Sequence, residues 1–247
     1  MRALLVAAGL GTRLRPLTDT IPKCLAPVGG RPLLHYWLEG LFASGVERLL
    51  VNLHYLPDVV RRFVAESAFR DRIDLVHEPV LLGTAGTIRA NRAWFGDQPF
   101  FYAHADNFCV CDLRAFMAAH RSRPKAAAMT MMTFDAPDPS QCGIVKLGDT
   151  GLVTEFHEKV PHPPGRLANA AVFILEPEVA DFCAKLTGDA PEFSRAVVPE
   201  FLGRIYAWHN TTYHLDIGTP QALAQADADT VRLRSKMAAW GWLNSND

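Results

Sequence analysis

The sequence predicts an α/β fold, because strand-like and helix-like segments alternate through its first half. A short apolar run at residues 3–8 is typical of a buried strand, and residues 32–44 show the apolar spacing of a helix. Alternation at this rhythm predicts strand–helix–strand units, which build a parallel sheet covered by helices on both faces. At 247 residues, the chain is long enough for one large domain.

The predicted elements change in character near residue 126. Before it, strands at 3–8, 48–53, 73–77 and 100–104 alternate with helices at 32–44, 58–66, 84–94 and 112–120. After it, strands at 127–134, 143–147, 154–158 and 169–175 are separated by turn-rich segments, and a helix follows at 177–186. Residues 206–209 and 212–216 predict a hairpin-like pair of strands, and one amphipathic helix runs from Pro220 to about Trp240.

The composition excludes several classes of partner. With 25 basic and 26 acidic residues, the net charge is −1, so no broad basic face for nucleic acid is expected. No segment is apolar enough to span a bilayer, and the N-terminal run lacks the layout of a signal peptide. The five cysteines are odd in number and scattered, which predicts reduced thiols and a cytoplasmic protein. Cys109 and Cys111 have the wrong spacing for a zinc site and are predicted to be buried packing residues.

The segment after the first strand has the composition of a phosphate-binding loop. It carries glycines at 9 and 11 and basic residues at 13, 15 and 23. Glycines let backbone N–H groups approach a phosphate chain, and the basic residues balance its negative charge. Position 14 is Leu, so the dinucleotide fingerprint lacks its third glycine, and no G-x-x-x-x-G-K-[ST] sequence occurs.

The same segment resembles a family signature. It reads Gly9-Leu-Gly-Thr-Arg-Leu-Arg-Pro-Leu-Thr18, followed by Pro22-Lys-Cys-Leu25. This is similar to the G-x-G-[TS]-R-[LM]-x-P-[LM]-T and P-K-x-[LM] motifs of sugar-1-phosphate nucleotidyltransferases. The resemblance implies a Rossmann-like α/β domain with a mixed central sheet and a small β-rich sugar-binding lobe. It also implies transfer of a nucleotidyl group from an NTP to a sugar 1-phosphate, which releases pyrophosphate.

The resemblance divides the chain into parts of one nucleotidyltransferase domain, residues 1–247. Residues 1–125 would form the nucleotide-binding half, residues 126–225 the sugar-binding half, and residues 226–247 the C-terminal helix. The hexapeptide repeats of the second domain that some relatives carry are absent. The chain is therefore similar to a short, single-domain form of the family.

Two aspartates match the metal ligands of the family. Asp106 follows the predicted strand 100–104, at the sheet edge where ligands bind in open α/β sheets. Asp216 lies in an Asp-Ile-Gly-Thr-Pro segment that matches the family's D-[IV]-G-[TQ]-P. By resemblance the pair holds Mg²⁺, which binds one or two carboxylates together with phosphate oxygens and water. An alternative role for Asp216, capping the last helix, suits Thr219 better because Thr219 directly precedes Pro220.

Three segments of the sequence are similar to the family motifs that bind the nucleotide. By resemblance, Arg13 and Lys23 are catalytic, with Arg13 on the β- and γ-phosphates and then on the leaving pyrophosphate. Arg15 is left open between a functional and a structural role. The sequence Glu78-Pro-Val-Leu-Leu-Gly-Thr-Ala-Gly86 is similar to the family segment that reads the nucleobase. Predicted nucleotide-binding residues are Ala8, Gly9, Gly11, Thr12, Glu78, Gly83 and Thr84. The alternative for the last three is structural: Glu78 fixes the loop, and Gly83 and Thr84 begin a helix that Thr84 caps.

The sugar side matches the family with substitutions. Predicted sugar-binding residues are Asn107, Gly143, Glu158, Lys159 and Asn169. Val160 replaces the proline of F-x-E-K-P, Cys142 replaces a tyrosine, and Ala171 replaces the glycine of N-[AST]-G-[IV]-[YF]. The added methyl at Ala171 is expected to narrow or shift the sugar pocket.

The overall pattern is most similar to guanylyltransferases that use GTP with mannose or heptose 1-phosphate. Uridylyl- and thymidylyltransferases acting on other sugar 1-phosphates remain alternatives, because these motifs do not fix the base. A catalytically silent sugar-nucleotide sensor is an alternative of another class, although such a protein need not keep Lys23, Asp106 and Asp216 together. The sequence leaves a homo-oligomer open.

Overall fold

The structure, a computed structural model, describes residues 1–243. The thirteen strands among these residues are β1 (Arg2–Val6), β2 (Pro27–Val28), β3 (Arg31–Pro32), β4 (Arg48–Leu53), β5 (Ile73–His77), β6 (Phe100–His104), β7 (Asn107–Val110), β8 (Met129–Asp135), β9 (Gly143–Leu147), β10 (Val153–Glu158), β11 (Leu167–Leu175), β12 (Ile205–His209) and β13 (Tyr213–Asp216). The eight α-helices are α1 (Leu33–Ala43), α2 (Pro57–Glu66), α3 (Thr84–Ala90), α4 (Arg92–Phe95), α5 (Leu113–Ser122), α6 (Pro177–Ala184), α7 (Phe193–Ala196) and α8 (Pro220–Ala239).

Most predicted elements are confirmed within a few residues, and two predictions are wrong. The helix predicted at 84–94 is two helices, because it is interrupted at Asn91. Residues 206–209 and 212–216 do not form a hairpin: β12 pairs in parallel with β8, and β13 pairs antiparallel with β7. A short gap between two strands suits a hairpin, but here each strand finds its partner in a distant segment. The strands β2, β3 and β7 and the helix α7 were not predicted.

One compact unit consists of residues 1–81, 104–113 and, in the part of the chain that the structure describes, 212–243. Within it, β1 pairs in parallel with β4, and β4 pairs in parallel with β5. Residues Ala3, Leu4 and Leu5 of β1 are fully buried, which explains the short apolar run of the sequence. The antiparallel pair β7 and β13 belongs to the same unit and forms a separate two-stranded sheet.

The C-terminal segment packs into the core of this first unit. Thr219 caps α8, as predicted, since its hydroxyl accepts a hydrogen bond from Ala222 N–H. After α8, the Trp242 ring packs edge-on against Trp37 of α1, with 5.4 Å between ring centroids. A Cβ at Gly40 would lie 2.9 Å from the Trp242 ring, so only glycine lets the ring pack this closely against α1.

The other compact unit consists of residues 82–103 and 114–211. Here β11 pairs antiparallel with residues 100–103 of β6 and with β8, and β9 pairs antiparallel with β10. Its core is rich in aromatic rings, such as Tyr102 stacked on Phe193 with centroids 4.9 Å apart.

The fold is therefore α/β with a central mixed sheet, since it combines parallel pairs with antiparallel ones. The purely parallel sheet that the strand–helix rhythm suggests is limited to part of the molecule. All five cysteines are free, and Cys109 and Cys111 are buried as predicted. Within residues 1–243, no helix has both the length and the apolar character needed to cross a membrane.

Candidate active site

The structure brings Asp106 and Asp216 together through the pairing of two short strands. Asp106 lies in the tight turn between β6 and β7, and Asp216 is the last residue of β13. Because β7 and β13 are antiparallel, Asn107 pairs with Asp216, and Ile217 N–H donates a hydrogen bond to the Asp106 carbonyl. Two carboxylates that are 110 positions apart in the sequence therefore lie at the same end of one ladder.

The ammonium group of Lys23 contacts both of these carboxylates. Lys23 Nζ lies 2.6 Å from Asp106 Oδ2 and 3.0 Å from Asp216 Oδ1. Lys23 is 8% exposed and lies in a short 3₁₀ turn after Pro22, whose carbonyl accepts a hydrogen bond from Leu25 N–H. The turn holds a charged side chain inside the protein, where only paired charges are tolerated.

The charges in this cluster stabilise one another. Burial by itself lowers the pKa of Lys23, but the nearby Asp106 and Asp216 outweigh it, so the pKa of Lys23 is raised. Burial raises the pKa of Asp106, and the opposing effects of Lys23 and His104 leave the pKa of that carboxyl below its ordinary value. Lys23 and Asp106 are thus charged together at neutral pH.

The two aspartates fit a divalent cation. Both carboxylates lie close enough to bind one positive charge together, as they do with the Lys23 ammonium. Among the described residues, no group of three or more His, Cys, Asp or Glu side chains is arranged to hold a metal. A site with two carboxylates suits Mg²⁺, which completes its shell with phosphate oxygens and water.

A second positive charge lies at the open side of this cluster. Arg13 Nη2 is 3.8 Å from Asp216 Oδ2, and the side chains of Arg13 and Asp216 are 68% and 55% exposed. Arg15 lies nearby in sequence but pairs with Asp19, and both of those side chains are largely exposed. The structure thus places Arg13, and not Arg15, beside Asp216, which favours the structural role for Arg15.

The glycine-rich loop is shaped by Gly11. This residue has a φ of +64°, and a Cβ there would lie 3.0 Å from Thr18 Cγ2 and 3.2 Å from Lys23 Cβ. The Gly11 carbonyl accepts hydrogen bonds from Leu14 N–H and from the Thr18 hydroxyl. Of the other predicted nucleotide-binding residues in this loop, Ala8 is buried, and Gly9 and Thr12 are exposed. Their contacts with nucleotide stay predictions.

Glu78 is buried and holds the base of the loop through Asn52. Asn52 donates its amide N–H to Glu78 Oε1 at 2.9 Å, and its Oδ1 accepts the Ala7 N–H at 2.7 Å. The sequence analysis missed Asn52, although a polar residue inside the apolar strand 48–53 was a visible signal. Glu78 is 2% exposed, so its carboxylate supports the loop from within, which favours the structural role noted above.

The segment that contains Gly83 and Thr84 packs against residues 190–193. Gly83 has a φ of +74°, and a Cβ there would lie 2.5 Å from the Ala190 carbonyl carbon. The prediction that Thr84 caps the helix is wrong, because Gly83 is the cap residue and Thr84 begins α3. The Thr84 hydroxyl instead accepts a hydrogen bond from Phe193 N–H and donates one to Glu192.

Three predicted sugar-binding residues lie on adjoining strands. Glu158 pairs with Gly143 across β10 and β9, and a Cβ at Gly143 would lie 2.7 Å from Glu158 Oε2 and 2.6 Å from the Phe156 ring. Asn169 follows Ala168, the one residue of β11 that pairs with β9. The missing side chain at Gly143 therefore leaves room for the Glu158 carboxylate on this surface.

The remaining sugar-side predictions lie in different surroundings. Lys159 is exposed and has a φ of +51°, and its N–H donates a hydrogen bond to the Cys142 carbonyl. Asn107 is 5% exposed in β7, and its carbonyl accepts a hydrogen bond from the Trp37 indole. Asn107 thus belongs to the same compact unit as Lys23, whereas Lys159 belongs to the other.

Ala171 has a backbone conformation that normally requires glycine. Its φ is +53°, and its N–H donates a hydrogen bond to Asn169 Oδ1 at 2.9 Å. The pairing register between β11 and β8 shifts here, between Asn169 and Phe173. An alanine in this conformation costs about 1–2 kcal/mol. The chain thus places a methyl group at a bulged position whose left-handed backbone favours glycine.

Comparison with known proteins shows the family to which the chain belongs. The family model described as "Nucleotidyl transferase" matches residues 2–232. The chain belongs to this family. Mannose-1-phosphate guanylyltransferase from Mycobacterium tuberculosis is 31% identical to it over 235 residues, covering 93% of this chain and 64% of the relative. Glucose-1-phosphate thymidylyltransferase from Streptomyces griseus is 33% identical over 192 residues, covering 76% of this chain and 52% of the relative.

A solved structure shares the fold. The crystal structure of HddC from Yersinia pseudotuberculosis superimposes with a TM-score of 0.77 at 24% identity, covering 92% of this chain and 98% of that one. The nucleotidyl transferase chain described here therefore matches that protein over almost its whole length. By contrast, it spans less than two thirds of the length of the two relatives named above.

Proposed function

We propose that this chain transfers a guanylyl group from GTP to a sugar 1-phosphate of the mannose or heptose type. The products are a GDP-sugar and pyrophosphate. The observation that carries the proposal is the convergence of Lys23, Asp106 and Asp216, with Arg13 at the open side of the cluster. Two cations and two carboxylates at one point suit a reaction whose reactants both carry phosphate.

The reaction consists of one displacement at phosphorus. A phosphate oxygen of the sugar 1-phosphate attacks the α-phosphorus of GTP and forms a new P–O bond. The bond from that phosphorus to the β-phosphate oxygen breaks, and pyrophosphate leaves with the electron pair. No covalent bond to the protein is needed, so the side chains act by positioning and by balancing charge.

The chain's own residues have separate tasks in this step. Lys23 neutralises charge at the α-phosphate from its buried turn, and the exposed Arg13 reaches the departing pyrophosphate. A guanidinium suits this second task because it makes paired hydrogen bonds with phosphate oxygens. Asp106 and Asp216 would hold Mg²⁺, which supplies further positive charge to the phosphates. On the sugar side, the Glu158 carboxylate would accept hydrogen bonds from sugar hydroxyl groups, and the Asn169 amide would donate to them. Lys159 would hold the sugar's phosphate.

The choice of GTP rests on relatives named mannose-1-phosphate guanylyltransferases, which are about 30% identical over 90% or more of this chain. A thymidylyltransferase acting on glucose 1-phosphate is the second candidate, because one relative of similar identity has that name. We further propose that the protein acts in the cytoplasm, as a source of precursors for cell-surface polysaccharide, without nucleic-acid or membrane partners. Whether it forms homo-oligomers is left open.

A pyrophosphate-release assay tests the proposal. GTP, UTP, dTTP and ATP are each paired with mannose 1-phosphate, a manno-heptose 1-phosphate and glucose 1-phosphate, with and without Mg²⁺. We expect the highest kcat/KM for GTP with a manno-configured sugar, and no release without Mg²⁺. Highest activity with dTTP and glucose 1-phosphate would instead support the thymidylyltransferase. Pyrophosphate release from no pair at all would leave the non-catalytic sensor as the better description.

A further inference from the structure

Gly218 is a glycine whose backbone does not require one. It lies two residues after Asp216, and its φ is outside the left-handed range that favours glycine. A glycine at this position instead leaves space beside Arg13 and Asp216. A Cβ at Gly218 would lie 2.8 Å from Nη2 and 3.1 Å from Cζ of Arg13, and 3.0 Å from Asp216 Oδ2.

The group that fills this space is the guanidinium of Arg13. The Arg13 side chain is 68% exposed, so its far end can move at little cost to the fold. The other close atom, Asp216 Oδ2, is the one that Arg13 approaches at 3.8 Å. An added methyl group at Gly218 would thus displace Arg13 from Asp216, and the protein would keep its fold.

We propose that Gly218 is a positioning residue for Arg13. It leaves open the space in which the guanidinium rests beside Asp216, and it thereby fixes where this positive charge stands when the triphosphate arrives. The inference rests on the proposed function, because there the partner of Arg13 is the leaving pyrophosphate. Gly218 itself touches no reacting atom and acts only through Arg13.

The test is Gly218→Ala. We expect kcat for pyrophosphate release to fall about 10- to 100-fold, because a displaced charge stabilises the departing group less well. The KM for sugar 1-phosphate should stay unchanged, because Arg13 does not serve the sugar. Gly165→Ala is the matched control: no atom lies within 4 Å of a Cβ at Gly165 and its φ is ordinary, so activity should be unchanged.

A double-mutant cycle separates positioning from a general structural effect. If Gly218 acts mainly through Arg13, Gly218→Ala should lower kcat in the wild type and should lower it much less in an Arg13→Ala background, where only the contact with Asp216 Oδ2 remains. Equal losses in both backgrounds would overturn the inference, because a strained loop would cost the same with or without the guanidinium.

A crystal structure of the Gly218→Ala variant gives a readout that does not depend on activity. We expect the Arg13 guanidinium to lie farther from Asp216 while the backbone of residues 216–219 is unchanged. A guanidinium still in its place beside Asp216 would overturn the inference. A wild-type protein that releases no pyrophosphate would reject the proposed function, and the crystal structure would still decide the position of Arg13.

Discussion

Two clusters in this protein each combine basic side chains with carboxylates, but they differ in how far their charged groups are exposed to solvent. The cluster of Lys23, Asp106 and Asp216 is open, since more than half of the Asp216 side chain is exposed beside an exposed Arg13. The cluster of His120, Arg123 and Glu176 is closed, because the Glu176 carboxylate binds both of the other side chains.

The closed cluster uses its hydrogen-bonding capacity internally. His120 Nδ1 lies 2.8 Å from the Thr130 hydroxyl, and its Nε2 lies 3.1 Å from Glu176 Oε1. The Arg123 guanidinium also donates to the carbonyls of Ala127 and His120. A neutral His120 that accepts from Thr130 and donates to Glu176 has both ring nitrogens satisfied. The comparison teaches that two clusters of buried charge can differ in access: only the open cluster has an exposed edge that a substrate could reach, which is why we regard it as the candidate active site.

The largest expected effect is in the open cluster. Asp106→Asn and Asp216→Asn should each reduce pyrophosphate release more than about 10³-fold, because each removes a carboxylate that the metal site needs. Thermal unfolding followed by circular dichroism should show that both variants fold, because Lys23 keeps one carboxylate partner in each. Near wild-type activity in either variant would falsify the role of that aspartate as a metal ligand.

The second largest expected effect is the loss of activity on removing Arg13, the exposed residue of the open cluster. Arg13→Ala should lower kcat by about 10²–10³-fold, equivalent to about 3–4 kcal/mol of barrier, because it removes a charge that serves the leaving pyrophosphate. Arg15→Ala is the matched control: its ion pair with Asp19 is exposed, and such pairs contribute little. A rise in the KM for sugar phosphate with an unchanged kcat would place Arg13 elsewhere in the reaction.

The closed cluster should affect stability and its dependence on pH. Burial, with Arg123 and Arg121 nearby, lowers the pKa of His120 from 6.5 to about 3. The folded protein keeps His120 neutral, whereas the unfolded chain binds a proton there below about pH 6.5. The contribution of the neutral His120 to the free energy of unfolding is therefore complete above pH 6.5 and is lost as the pH falls from about 6.5 toward 3.

Urea unfolding of the wild type and of His120→Asn, measured from pH 8 to pH 4, isolates this contribution. The variant should unfold at a lower free energy at pH 8, by about 2 kcal/mol, because Glu176 loses a donor. The difference should shrink as the pH falls, because only the wild type must keep a histidine neutral. A difference that is constant with pH would mean that His120 does not titrate differently in the folded and unfolded states.

The smallest expected effect concerns Ala171, which tests whether the second compact unit selects the sugar. Ala171→Gly should relieve the left-handed strain and raise the free energy of unfolding by at most about 1 kcal/mol. Competition between paired sugar 1-phosphates should show relaxed sugar selectivity, with an unchanged ratio of GTP to UTP use. The matched control is Ala170→Gly, at a buried position with an ordinary φ, which should lower stability and leave sugar selectivity unchanged. A changed nucleotide ratio in Ala171→Gly would contradict the division into a nucleotide side and a sugar side.

The sequence by itself determined the local elements and the family. Alternating apolar runs and helical spacing predicted most strands and helices, because those patterns depend on residues that are close together in the chain. The phosphate-binding loop and the two aspartate motifs were also visible, because each motif is short and continuous. Thr219 was identified as a helix cap for the same reason.

Only the tertiary structure decided which distant segments meet. The pairing of β7 with β13 brings Asp106 and Asp216 onto Lys23, but the sequence suggested a hairpin that does not form. The roles of Asn52 and Gly218 also depend on the atoms that surround them. Periodicity reports which face of an element is buried, and it carries no information about the element that buries it. Partner choice across 110 residues depends on the packing of the whole fold, and this is why the motifs were visible in the sequence while the spatial arrangement of their side chains was not.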